Sequence, residues 1–212
     1  MTDRLTIPRG PAIATELEVK RSRFITWLGR VDDEAAARQL LAEARDRFPD
    51  ARHHCSAWVI SVPGAQPLWH SSDDGEPSGT AGRPMLDVLV GSGLTDVAAV
   101  VVRYFGGTLL GTGGLVRAYS DAVTAALDLA PRVRLVESAL WRVLLPHAEA
   151  GRIESDLRSR GVVVHDVAYV GDGVRLTLAD NDHEALSALL AALTRGDGVL
   201  EPAGRTVTER PG

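Results

Sequence analysis

The run Val97-Ala98-Ala99-Val100-Val101-Val102-Arg103-Tyr104 constrains the fold more than any other stretch. A strand with no polar face cannot lie against water, so it belongs in the middle of a sheet covered on both sides. Phe105 and five glycines within nine residues, Gly106 to Gly114, follow it directly. The pattern then predicts a helix from about Leu115 to Leu129, stopped by Pro131. Upstream lies a second unusual block, Ser71 to Pro84, with Asp73, Asp74 and Glu76 close together. Carboxylates are seldom buried unless paired, and each glycine raises the entropy lost on folding. Blocks of this kind serve turn geometry, close backbone approach or a ligand.

Around these blocks the chain reads as alternating strands and helices. Ala12–Val19 and Arg23–Val31 are predicted strands, joined by a cationic tip, Lys20-Arg21-Ser22-Arg23. That tip is either a solvated hairpin end or an anion-binding rim. A helix is expected from Asp32 as N-cap to Pro49, with Ala36, Leu40, Ala44 and Phe48 at helical spacing. Strands at His54–Val62 and Pro67–Ser71 follow, separated by a turn at Pro63-Gly64, and a glycine-rich helix spans Thr80–Val90. Residues 1–11 read as a frayed lead-in. Arg132–Ser138 is the expected junction between a domain of residues 1–135 and one of residues 136–212. The second domain reads as strand Ala139–Leu145, helix Ala148–Arg160, strand Gly161–Tyr169, strand Val174–Leu178, helix Asp182–Thr194 and strand Val199–Val207. That order, βαββαβ, is the ferredoxin-like split unit. The fold class is α+β.

Charge narrows the partners. The net charge of the 212 residues is -5. Residues 1–135 hold 15 basic and 16 acidic groups, and residues 136–212 hold 8 and 12. Neither part has the basic excess that drives nonspecific nucleic-acid binding, so any such site is a local patch. The single cysteine, Cys55, excludes an intrachain disulfide. No apolar run is long enough for a membrane helix, and the first residues lack a signal-peptide core. A cytoplasmic location is expected.

The turn Gly106–Gly114 lies between a buried strand and a helix, where free N–H groups receive anions. Arg103 and Arg117 flank it, and guanidinium groups pair with phosphate. The alternative is a tight connection with unusual dihedral angles. It has neither a Walker loop nor a dinucleotide fingerprint. The acidic block reads as an Asx-type turn, with Asp73 or Asp74 capping backbone amides and Glu76 facing Arg83 or Arg52, or else as a divalent-cation cluster. His53 and His54 point to opposite faces of a strand, and Cys55 reads as a small core residue. The residues expected to bind an anion or partner are Arg52, His54, Asp74, Glu76, Arg83, Arg103, Gly106, Gly107, Gly111, Gly113, Gly114 and Arg117. No catalytic residue, metal or cofactor is expected.

The blocks SDDGEPSGTAGRPML and VVRYFGGTLLGTGGLVRAY, with Arg52-His53-His54-Cys55 and Lys20-Arg21-Ser22-Arg23-Phe24, resemble the YigZ/IMPACT family over roughly residues 10 to 210. The resemblance implies an N-terminal domain similar to the second domain of a small-subunit ribosomal protein. It implies a ferredoxin-like C-terminal domain similar to the last domain of a translocating elongation factor. Eukaryotic relatives are linked to control of translation initiation through a kinase-activating partner. The expected function is a non-enzymatic, translation-associated regulator that binds RNA, a ribosomal component or a translation-control protein. The alternative is an enzyme acting on a phosphorylated small molecule or nucleotide, which needs the acidic loop and the glycine turn to share one cleft.

Overall fold

The computed structural model describes residues 4–62 and 64–211. The expected Pro63-Gly64 turn falls on Pro63, outside the described residues, as do the first three residues of the lead-in. The chain packs as two compact units, one ending at Arg134 and one spanning Leu135–Arg210. Both are mixed α/β with antiparallel sheets.

The N-terminal unit contains β1 (Arg4–Thr6), β2 (Ile13–Val19), β3 (Ser22–Arg30), α1 (Glu34–Arg47), β4 (His53–Ile60), β5 (Leu68–Ser72), α2 (Gly82–Gly91), β6 (Val97–Tyr104) and α3 (Gly111–Leu129). Its sheet runs β2-β3-β6-β4-β5, with antiparallel neighbours throughout. The apolar run is thus the central strand. Val97, Ala99 and Val101 pack with α2 and α3, while Ala98, Val100 and Val102 pack with α1. Each fully buried valine contributes about 1.5 kcal/mol or more relative to exposure. The short β1 replaces the frayed lead-in, because Ile7 is buried and the Leu5 carbonyl accepts the Thr95 N–H at 2.9 Å.

The starts of α1 and α3 are among those that differ from expectation. The N-cap of α1 is Asp33, whose Oδ1 accepts the Ala36 N–H at 2.8 Å, so the cap lies one residue beyond Asp32. Helix α3 begins at Gly111, four residues before Leu115. Glycine disfavours a helix by about 1 kcal/mol per residue. Burial of Leu115, Ala118, Tyr119, Ala122 and Ala126 outweighs that cost and draws the glycines into the first turn.

The C-terminal unit contains β7 (Val133–Leu145, entering from the preceding unit), α4 (His147–Ser159), β8 (Val163–Val170), β9 (Gly173–Ala179), α5 (His183–Thr194) and β10 (Glu201–Pro211). Its strands lie in the order β10-β7-β9-β8. Ile153, Leu157, Leu186 and Leu190 of the helices share one core with Val143, Leu145, Leu176 and Leu178 of the sheet. β7 starts six residues before Ala139, across the expected junction, because Val133 and Leu135 continue the period-two alternation.

Candidate functional site

The hairpin between β2 and β3 turns on two residues, Lys20 (φ 48) and Arg21 (φ 67). Two left-handed residues form the tight turn that matches strand twist, a place where Asn-Gly is preferred. A non-glycine residue there costs roughly 1–2 kcal/mol. The chain thus holds two long cations in a conformation that neither favours. The tip is clamped onto the glycine turn. The Gly106 N–H donates to Ser22 Oγ at 3.1 Å, and Arg21 Nη2 donates to Thr108 Oγ1 at 3.3 Å. A Cβ on Gly106 would lie 2.1 Å from the Arg21 carbonyl carbon, so only glycine permits this approach.

Beside the clamp is an open cleft of about 420 Å³, lined by Lys20, Leu110, Gly113, Gly114, Arg117 and Asp121 among others. Among the described residues, no hydrogen bond or ion pair engages Lys20 or Arg117. By contrast, Arg4, Arg23, Arg38, Arg45, Arg83 and Arg103 each pair with a carboxylate. Gly113 has no backbone need for glycine, and a Cβ there would meet nothing within 4 Å. Interior packing therefore does not explain its missing side chain, whereas an open cleft floor does. Gly107 and Gly111 serve the turn itself, with φ of 84 and 72.

The acidic loop is consumed internally. Asp73 accepts the N–H groups of Gly79, Ala81 and Gly82 at 2.8, 3.0 and 2.9 Å. Burial alone would raise its pKa, but these backbone donors prevail and hold the carboxyl below the ordinary aspartate value. Asp74 Oδ2 accepts the His54 N–H at 2.7 Å, and Oδ1 accepts Arg45 at 2.9 Å. The Asp74 carbonyl accepts His53 Nδ1–H, and the Phe48 carbonyl accepts His54 Nε2–H. Glu76 Oε1 accepts Arg103 Nη1 at 2.7 Å and the Tyr119 hydroxyl at 2.8 Å, with all three side chains buried.

Glu76 therefore faces neither Arg83 nor Arg52. Arg83 pairs with Asp87 one turn along α2, and Arg52 is exposed before β4. The loop folds inward, so Glu76 reaches between β6 and α3. It thereby pins Arg103 and Tyr119, which flank the glycine turn on either side. The acidic loop and the turn are thus tied together, yet Asp73, Asp74 and Glu76 do not line the cleft.

Arg103 lies over the rings of Phe24 and Phe105, at 5.5 and 5.8 Å from their centroids. Cys55 is fully buried, with Sγ 3.0 Å from the Asp73 carbonyl oxygen and 3.3 Å from the Tyr119 hydroxyl. Burial pushes its thiol up to about 12, which leaves little thiolate for nucleophilic attack. Burial likewise raises the Tyr119 phenol, which stays a hydrogen-bond donor. No cluster of three or more metal-ligating side chains occurs among the described residues. The Cys55 thiol and the Tyr119 phenol are thus both engaged in internal contacts. Lys20, Arg45, Tyr119 and Asp121 were absent from the expected site. Only Lys20 had a local signal, the run of cations at the hairpin tip.

The profile of the Impact N-terminal domain matches residues 20–127, a span that begins at the hairpin tip and contains the cleft lining apart from Val19. A relative from Bacillus subtilis, "IMPACT family member YvyE", is 36% identical over 200 residues, covering 92% of this chain and 89% of its own. The chain belongs to the IMPACT family. Another member, "IMPACT family member YigZ" of Escherichia coli, is 54% identical over 121 residues, covering 57% of this chain and 59% of its own. The Haemophilus influenzae member is 49% identical over 132 residues, and the match spans 64% of its length. For these two, the matched length is under two thirds of the relative. A solved structure described as a hypothetical protein is 39% identical, with a TM-score of 0.62, covering 94% of this chain and 97% of its own. No helix among the described residues is long and apolar enough to cross a membrane.

Proposed function

We propose that this IMPACT-family chain is a non-enzymatic, translation-associated regulator whose N-terminal unit binds RNA through its phosphates. The translation setting rests on the family resemblance. The observation that carries the binding reading is the cleft beside the clamped hairpin. It presents Lys20 and Arg117 without partners and a glycine floor at Gly113 and Gly114. Two cations that no carboxylate pairs with, Lys20 at a strained turn and Arg117 on α3, fit a phosphate-bearing ligand, with Asp121 on the same cleft wall. The enzyme alternative draws less support, since the acidic loop, Cys55 and Tyr119 are held in internal contacts. The same proposal takes the N-terminal fold as ribosomal-protein second-domain-like and the βαββαβ unit as ferredoxin-like. It places domains at residues 1–135 and 136–212 and the protein in the cytoplasm.

Fluorescence anisotropy of a labelled RNA oligomer against the full chain, across a salt series, tests this reading. Lys20→Ala and Arg117→Ala should each weaken binding and lower the salt slope by about one. A double variant that binds like wild type would remove the cleft from consideration. Turnover of a phosphate ester by the wild-type chain would favour the enzyme instead.

A further inference from the structure

The ring of Phe105 is 55% exposed and the adjoining Leu109 is 84% exposed. Both are open side chains in a turn otherwise built of glycine and threonine, and neither belongs to a core cluster. Of the three phenylalanines, Phe24 is fully buried and Phe48 packs against the α1 core. One side of the Phe105 ring meets a cation. The Arg103 guanidinium, itself buried and bonded to Glu76, stands 5.8 Å from its centroid. The next residue, Gly106, is bonded to Ser22, which places Phe105 beside the Lys20-Arg21 tip. An exposed aromatic beside a hairpin tip whose Lys20 has no carboxylate partner is a combination that holds single strands: a base stacks on the open side of the ring and the cations take phosphates.

We propose that Phe105 is a stacking platform for an unpaired base, so that the cleft takes single-stranded RNA, with a phosphate at Lys20 and Arg117. This rests on the phosphate-binding reading above and narrows it. The charge balance favours the same ligand. Residues 1–135 hold 15 basic and 16 acidic groups, so long-range attraction for a polyanion is weak and a stacking contribution is needed for useful affinity. A duplex hides its base faces and supplies no such contact. An acidic peptide would use the cations but leave the ring without a partner.

The test uses the full chain and four labelled probes at one salt concentration. These are an unstructured RNA oligomer of about ten nucleotides, its duplex, an abasic ribose-phosphate chain of equal length, and an acidic peptide of equal charge. The single strand should bind about tenfold or more tighter than the other three. Phe105→Ala should remove most of that preference and leave the abasic chain's affinity unchanged, while Phe105→Tyr should retain it. Because the ring is exposed, both variants should melt like wild type. Equal binding of duplex, abasic chain or peptide, or wild-type RNA affinity in Phe105→Ala, overturns the stacking proposal and leaves the phosphate site standing. No binding of any probe removes both.

Discussion

Glu76→Ala is the sharpest perturbation of the scaffold beneath the cleft. It leaves the Arg103 guanidinium buried at 8% side-chain exposure with no carboxylate beside it, and the Tyr119 hydroxyl loses its acceptor. Breaking a buried ion pair from one side costs about 3–5 kcal/mol, chiefly because the orphaned charge remains in a low-dielectric site. A unit of this size has a urea m-value of roughly 1.5–2 kcal/mol/M, so the midpoint should fall by about 2 M. Tryptophan fluorescence is a suitable probe, since Trp27, Trp58 and Trp69 lie in this unit and only Trp141 lies beyond it. Glu76→Gln keeps both hydrogen bonds in reach and should cost less, about 1–2 kcal/mol. Replacing the pair together, Glu76→Leu with Arg103→Met, should recover most of the loss, because neither charge is then stranded. A midpoint shift under about 0.5 M for Glu76→Ala would show that the node is not what holds the loop, and would refute the reasoning.

Three further outcomes follow from the same geometry. The Asp73 carboxyl has a native pKa below its unfolded value of about 3.9, so its stabilisation is complete above that pH and is lost as pH falls through the lower native value. Acid unfolding curves should therefore be steeper for wild type than for Asp73→Asn below about pH 4, and identical slopes would contradict the capping role. Cys55 should react with a thiol reagent at pH 8 only at the rate of local or global opening, and fast native-state labelling would contradict its burial. Gly106→Ala should destabilise by about 2 kcal/mol or more, because a Cβ meets the Arg21 backbone, and a neutral thermal melt would mean the clamp is not tight.

The central strand was legible because Val97 to Val102 offer no polar face, and that alone requires cover on both sides. The βαββαβ order was legible from the alternation of periods, while the starts of β7 and α3 were not. In one case the strand starts inside the segment read as a linker, Arg132–Ser138. In the other, glycines that favour a loop by propensity are held in a helix by tertiary packing. Within the site, the glycine turn and the cationic tip stood out by composition. Their union did not, because the Gly106–Ser22 bond joins residues far apart in sequence. Glu76 found Arg103 and Tyr119 for the same reason: which cation meets a carboxylate is decided by the sheet register. The left-handed Lys20 and Arg21 were hidden because such turns are recognised by asparagine and glycine.

In the proposed function the cleft floor, and not the acidic loop, receives the anion. Backbone amide shifts of the full chain during titration with pyrophosphate test it most directly. The amides of Lys20, Gly113 and Gly114 should move in a saturable way, with those of Asp73 to Glu76 unchanged, and Lys20→Ala with Arg117→Ala should abolish the shifts. Shifts centred on Asp73 to Glu76, or none at Gly113 and Gly114, would contradict it.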